Sequence, residues 1–154
     1  MTFIRIATLD DFDDFLCLAR EVEPLFGPMV DSSDFCAAVK GAIGADAVIC
    51  AVGDTEEAAL QGACVIDSEL NEIAWLAVSN SFRGEGVGTL LLTEAMRRLG
   101  AQRPIRVTTF ADLTQESVAA KKLYKKQGFV DVGPGDINPA GLATVVMEYR
   151  GSQR

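Results

Sequence analysis

The chain predicts an α/β fold of the α+β kind: a mixed, mostly antiparallel central sheet of about seven strands flanked by four helices. Three observations lead there. Short segments of alternating or continuous apolar character are interleaved with longer ones whose apolar residues recur every three to four positions. The segments follow the order β-α-α-β-β-β-α-β-α-β-β. Three successive strands with short polar connections read as a meander, whereas the helical stretch Val87–Leu99 lies between two strands and reads as a parallel crossover.

Each element has its own signal. Residues 3–7 alternate as a short strand. Asp10 or Asp11 can cap a helix that ends near Glu23, because Pro24 has no N–H to continue it. Phe12, Phe15, Leu16 and Ala19 give that helix one apolar face. Gly27 and Pro28 mark a loop, and Ser32 or Ser33 caps a second helix ending near residues 41–44. Residues 47–52 form a strand, 53–59 a polar hairpin turn, and 60–67 the next strand. Glu72–Val78 completes the meander, and its apolar run from Ile73 onward reads as buried. A polar turn at 79–82 leads to helix Val87–Leu99, which sets Leu91, Leu92, Ala95, Met96 and Leu99 on one arc. Strand Ile105–Phe110 follows Pro104. A helix around Tyr124 ends at Gly128, a C′ glycine. Residues 129–132 and 143–149 are the last strands, separated by a Gly/Pro loop at 133–141.

Composition bounds the function. A chain of 154 residues, 49% hydrophobic, buries roughly 70% of its unfolded surface, which suffices for one core and one domain over residues 1–154. No apolar run approaches the ~18 residues of a membrane span, and the start of the chain lacks a signal-peptide core. Cys17, Cys36, Cys50 and Cys64 are widely spaced among apolar neighbours, as reduced core residues would be. A cytoplasmic location is therefore expected. The chain has no histidine, which excludes Ser-His-Asp and Cys-His catalysis and most zinc chemistry, so no metal is expected. A formal net charge of −8 disfavours nucleic acid and would attract a cationic substrate, although it also serves solubility alone.

The chemistry concentrates in residues 73–96. A buried strand feeds a turn containing Arg83, Gly84, Gly86 and Gly88, and a helix opens directly after it. Unpaired N–H groups of a first helical turn, with the helix dipole behind them, make an anion site. Glycines let a phosphate approach the backbone. No Lys-Ser/Thr pair follows, so this is not a P-loop, and the spacing Gly84-x-Gly86-x-Gly88 is not Gly-x-Gly-x-x-Gly. A dinucleotide-binding oxidoreductase fragment is thereby disfavoured.

What Arg83-x-x-Gly86-x-Gly88 resembles is the acyl-CoA pyrophosphate loop of the GNAT acetyltransferase superfamily. A second stretch agrees. Ser117, Ala120, Leu123, Tyr124, Gly128 and Phe129 look like that superfamily's Asn-x-x-Ala-x-x-Leu-Tyr-x-x-x-Gly-Phe helix, with Ser117 in place of the Asn. Physically this is an amphipathic helix with Ala119, Ala120, Leu123 and Tyr124 on one face and Lys121, Lys122, Lys125 and Lys126 on the other. Ser117 and Tyr124 are about two turns apart and stack on one side.

The resemblance covers nearly the whole chain and implies acetyl transfer from acetyl-CoA, as co-substrate, to a primary amine of a small molecule or peptide. It implies that strands Ile73–Val78 and Ile105–Phe110 splay at one end, with the pantetheine arm pairing to Leu76, Ala77 and Val78. It sets the pyrophosphate on Arg83, Gly84, Glu85, Gly86, Val87, Gly88 and Thr89. Glu85 can point to solvent from the helix start. Ser117 and Lys121 would add cofactor contacts, though a solvated face also suits the lysines. Tyr124 would protonate the departing thiolate. Glu72 and Asp112 stand where family members carry a general base, and each also reads as an ordinary strand-end or loop carboxylate. Trp75 reads as core rather than as a substrate platform. Residues 26–30 and 133–141 would flank the acceptor pocket. The expected partners are an amine acceptor, cationic in water, and a second copy of the chain in a homodimer, with neither nucleic acid nor membrane. The alternative is a non-catalytic acyl-CoA-binding sensor domain, which Ser117 favours and Tyr124 opposes.

Overall fold

The computed structural model describes residues 1–54, 59–100, 102–111 and 115–151, with side chains omitted at 115–117. Seven strands form one sheet in the order β1-β2-β3-β4-β5-β7-β6. They are β1 (Phe3–Ile6), β2 (Val48–Val52), β3 (Gly62–Asp67), β4 (Glu72–Val78), β5 (Ile105–Phe110), β6 (Val130–Pro134) and β7 (Thr144–Tyr149). The helices are α1 (Phe12–Phe26), α2 (Ser33–Gly44), α3 (Val87–Leu99) and α4 (Gln115–Lys126). Only β4 and β5 are parallel neighbours; every other pairing is antiparallel. This is the mixed sheet that the sequence implies. The last strand, β7, lies between β5 and β6.

Two apolar clusters sandwich the sheet. Phe15, Leu18 and Val22 of α1 and Val39 and Ile43 of α2 pack against Val48, Cys50 and Ala63. Leu91, Leu92 and Ala95 of α3 and Tyr124 of α4 pack on the other face against Ile49, Cys64, Ile105 and Val107. Strand β2 contributes to both clusters, which is why it is a continuous apolar run rather than an alternating one. No helix among the described residues is long and apolar enough to cross a membrane.

Two local expectations change. Helix α1 continues through Pro24 to Phe26. Its last turn is held from outside: the Gly27 amide donates to the Glu23 carbonyl (2.8 Å), and the Glu23 carboxylate accepts from Met29 N (2.7 Å) and Val30 N (3.0 Å). These caps offset the donor that proline lacks. Among the cysteines, Cys50 and Cys64 are core residues whose thiols burial pushes up to about 11 and about 12, but Cys36 is half-buried and Cys17 exposed. Ser32 caps α2 as expected, accepting from Phe35 N at 3.2 Å.

Candidate active site

The site begins where the sheet fails to close. Strands β4 and β5 pair only at Glu72 with Arg106 and Ile73 with Val107, then diverge. The closed end is pinned by Asn71, in the left-handed region at φ 53°. Its side-chain amide donates to the carbonyls of Arg103 (3.0 Å) and Pro104 (3.2 Å). Between the diverging strands lies a cavity of about 700 Å³, lined from both faces of the sheet. The β4 edge facing it is left without a strand partner beyond Ile73, so its N–H and C=O groups are available to an extended ligand.

A bulge tunes this edge. Trp75 pairs with Val65 and Ile73 with Ile66, so Ala74 is an extra residue on β4. The bulge re-phases the strand. Ile73, Leu76 and Val78 pack on the α3/α4 side, whereas Trp75 and Ala77 pack on the α1/α2 side.

At the wide end of the wedge the backbone opens into α3. Gly84 (φ 79°) and Gly86 (φ 83°) are left-handed, and Gly86 is the N-cap of α3. An added Cβ at either would meet no heavy atom within 4 Å, so the front of the loop is open. Gly88 has a different purpose. A Cβ there would lie 3.2 Å from Leu123 Cδ2, so this glycine lets α3 pack against α4. The N–H groups of Val87, Gly88 and Thr89 precede the first bond of α3, from Leu90 N to the Gly86 carbonyl (3.1 Å), and these residues line the cavity at the positive end of the dipole. The turn before the loop is fixed from α1: the Glu21 carboxylate accepts from Asn80 N (3.0 Å) and Ser79 Oγ (3.1 Å).

Tyr124 projects from α4 into the same cavity. It is 4% exposed, and its ring meets Phe129 edge-on at 5.5 Å. Burial, with Cys64 nearby, raises its phenol well above the ordinary value, so it stays protonated. Among the described residues nothing hydrogen-bonds its hydroxyl, which leaves the proton for a ligand.

The remaining sequence candidates divide. Leu76, Ala77, Val78, Arg83, Gly84, Gly86, Val87, Gly88 and Thr89 line the cavity with Tyr124; Glu85 does not. Lys121 is not brought to it either. The helix turns Lys121 toward β6, where it is 8% exposed with its ammonium 3.3 Å from an Asp131 oxygen, so the four lysines do not share one solvated face. Glu72 does not line the cavity, although its neighbours Ile73 and Ala74 do; it sits at the closed end of the wedge, paired with Arg106. Burial first, then Asp67, raises its carboxyl above the usual range, against the opposing pull of Arg106. Asp112 and the side chain of Ser117 lie outside the described residues.

At the other end the loops at 26–30 and 133–141 do border the cavity, through Phe26, Asn138 and Pro139, but sequence reasoning missed the aromatic cluster there and read Trp75 as core alone. Phe26 of α1 meets Trp75 at 5.6 Å and Phe110 at 5.4 Å, edge-on in both cases. The loop at 133–141 is tied to the end of α1 there, because Asn138 Nδ2 donates to the Leu25 carbonyl at 2.7 Å. Three elements distant in sequence build this cluster, so no local pattern announces it.

The model of the acetyltransferase (GNAT) domain matches residues 35–131, more than half of the chain. The chain belongs to the GNAT acetyltransferase family. Its fold agrees with that of other GNAT proteins. A GNAT-family acetyltransferase from Bacillus cereus superposes with a TM-score of 0.74 over 99% of each chain at 17% identity. A chain of the NatC complex bound to Gag peptide and CoA gives 0.76, covering 96% of this chain and 97% of that one, at 17% identity. The PaiA N-acetyltransferase from Thermoplasma acidophilum, in complex with coenzyme A, gives 0.68 at 16% identity, covering 97% and 98%. At such identities the likeness is one of fold. No curated protein is significantly similar to the chain in sequence.

Proposed function

We propose that this GNAT protein transfers an acetyl group from acetyl-CoA directly to a primary amine. One observation carries the reading: the glycine loop at the start of α3 and the protonated Tyr124 line one cavity in the wedge between β4 and β5. The CoA-bound relatives support the choice of donor.

The residues fit that donor. Backbone amides of residues 84–89 would hold its pyrophosphate, because a helix start offers unpaired N–H groups and positive potential. The free edge of β4 would pair with its extended amide arm. Acetyl-CoA supplies an activated acyl carbon. The amine forms a C–N bond to that carbon as the C–S bond breaks. Tyr124 gives its proton to the departing sulfur, and the amine loses one. Glu72, whose carboxyl burial raises and whose neighbours Ile73 and Ala74 line the cavity, would take that proton through a water. The test is thiol release from acetyl-CoA against a panel of amines, with the acetylated product confirmed by mass. Release that requires an amine and yields equal amounts of thiol and product supports transfer. Acetyl-CoA binding without release from any amine would favour a sensor.

A further inference from the structure

On that reading of the site, we propose that the acceptor is a primary amine carried on an apolar, aromatic-sized body, packed against the wall that Phe26, Trp75 and Phe110 build. The cavity is lined from both faces of the sheet. The end nearer α3 offers glycines, helix amides and Arg83, which suit phosphates. The acceptor must reach the thioester from the other end, whose walls are Val22, Leu25, Phe26, Trp75, Phe110 and Pro139.

Chemistry at that end is one-sided. Arg83 is the only charged residue among the described residues lining the cavity, and it belongs to the loop before α3. No described carboxylate lines it to balance a polycation. Of the polar groups at this end, Asn138 and Thr144 are already engaged, whereas the buried indole N–H of Trp75 has no partner among the described residues. The Asn138 amide donates to the Leu25 carbonyl, and its oxygen accepts from Ala140 N and Leu142 N. The Thr144 hydroxyl donates to the Asp136 carbonyl. An acceptor rich in ammonium groups would lose its hydration with little in return, because the unpartnered Trp75 N–H is itself a donor. A phenyl-sized group would extend the cluster in which Phe26 already meets Trp75 and Phe110 edge-on. The same walls disfavour an ammonium, so the bound amine is shifted toward its neutral, nucleophilic form. The net charge of −8 attracts cations of every kind and does not choose among them.

Trp75 is the only tryptophan of the chain, so its emission reports on this end alone. The experiment titrates 2-phenylethylamine, hexylamine, spermidine and kanamycin into the protein with CoA present, following Trp75 emission. Thiol release with acetyl-CoA is measured in parallel. We expect 2-phenylethylamine to move the emission saturably and to give kcat/KM about ten-fold or more above spermidine and kanamycin, the factor that burying a phenyl group supplies. Phe26→Ala should raise the acceptor KM by a similar factor while acetyl-CoA binding by calorimetry is unchanged. Phe110→Leu, a milder change, should act in the same direction. Emission unmoved by 2-phenylethylamine, or turnover that favours spermidine or kanamycin, overturns the assignment while leaving acetyl transfer intact. Absence of acetyl-CoA binding in calorimetry overturns the underlying reading as well.

Discussion

Tyr124 and Glu72 are both shifted by burial, and the shifts suit opposite duties. The phenol is raised, so it keeps its proton at neutral pH and can hand it to a departing thiolate. Tyr124→Phe is expected to lower kcat by roughly 10²–10⁴-fold while acetyl-CoA affinity stays the same, because the lost bond forms mainly in the transition state. Single-turnover rates check this, and equal rates in the variant and the wild type would remove Tyr124 as the acid. Glu72 carries a raised carboxyl, so its ionised form is disfavoured by folding. Its favourable contribution is full below the ordinary carboxylate value and is lost as pH rises through its raised folded value. At neutral pH the charge is thus a burden, and Glu72→Gln should leave Tm at pH 7 equal or higher. If Glu72 is the base, the same variant should lose the ascending limb of kcat/KM. A base is useful because the amine itself titrates only near ~10, and the chain has no histidine to supply a limb near ~6.5. Asp112→Asn, run beside it, separates the two carboxylates: a large loss only there would transfer the role.

Single elements gain their function through ties that cross the sequence. Asn71 holds the closed end of the wedge through the carbonyls of Arg103 and Pro104. Asn71→Ala removes the donor from both and should destabilise the fold by about 1–3 kcal/mol in denaturant titration. An unchanged midpoint would mean that the clamp is unimportant. Glu21 holds the turn ahead of the phosphate loop through Ser79 and Asn80. Glu21→Ala should weaken acetyl-CoA by roughly five-fold, the worth of about 1 kcal/mol of lost ordering, with kcat little changed. These ties also explain what the sequence could and could not disclose. Helix α3 and strands β4 and β5 have the bounds that their apolar patterns imply, since those patterns are local. The end of α1 does not, because Pro24 is a local stop signal that the caps from Glu23 and Gly27 override. The bulge at Ala74 has no signature in its own strand, since it exists only relative to β3.

For the whole molecule, the decisive feature is one cavity through a sheet that opens at one end. Its phosphate-suited half was legible because a glycine loop, a helix start and the Tyr124 motif are each contiguous in sequence. Its aromatic half was not, because Phe26, Trp75 and Phe110 meet only after α1, β4 and β5 have packed. Lys121 was misplaced for a related reason: an ion pair with Asp131 on β6 draws it off the solvated face. The central claim is that acetyl-CoA enters this cavity with its pyrophosphate on the backbone in front of α3. Gly86 tests it most directly, since it is left-handed, caps α3 and keeps the loop front open. Calorimetric titration of acetyl-CoA into the wild type and a folded Gly86→Val variant is the measurement. Binding to the wild type that disappears in the variant, with circular dichroism unchanged, is the predicted result. Equal affinity in the two proteins would contradict the account.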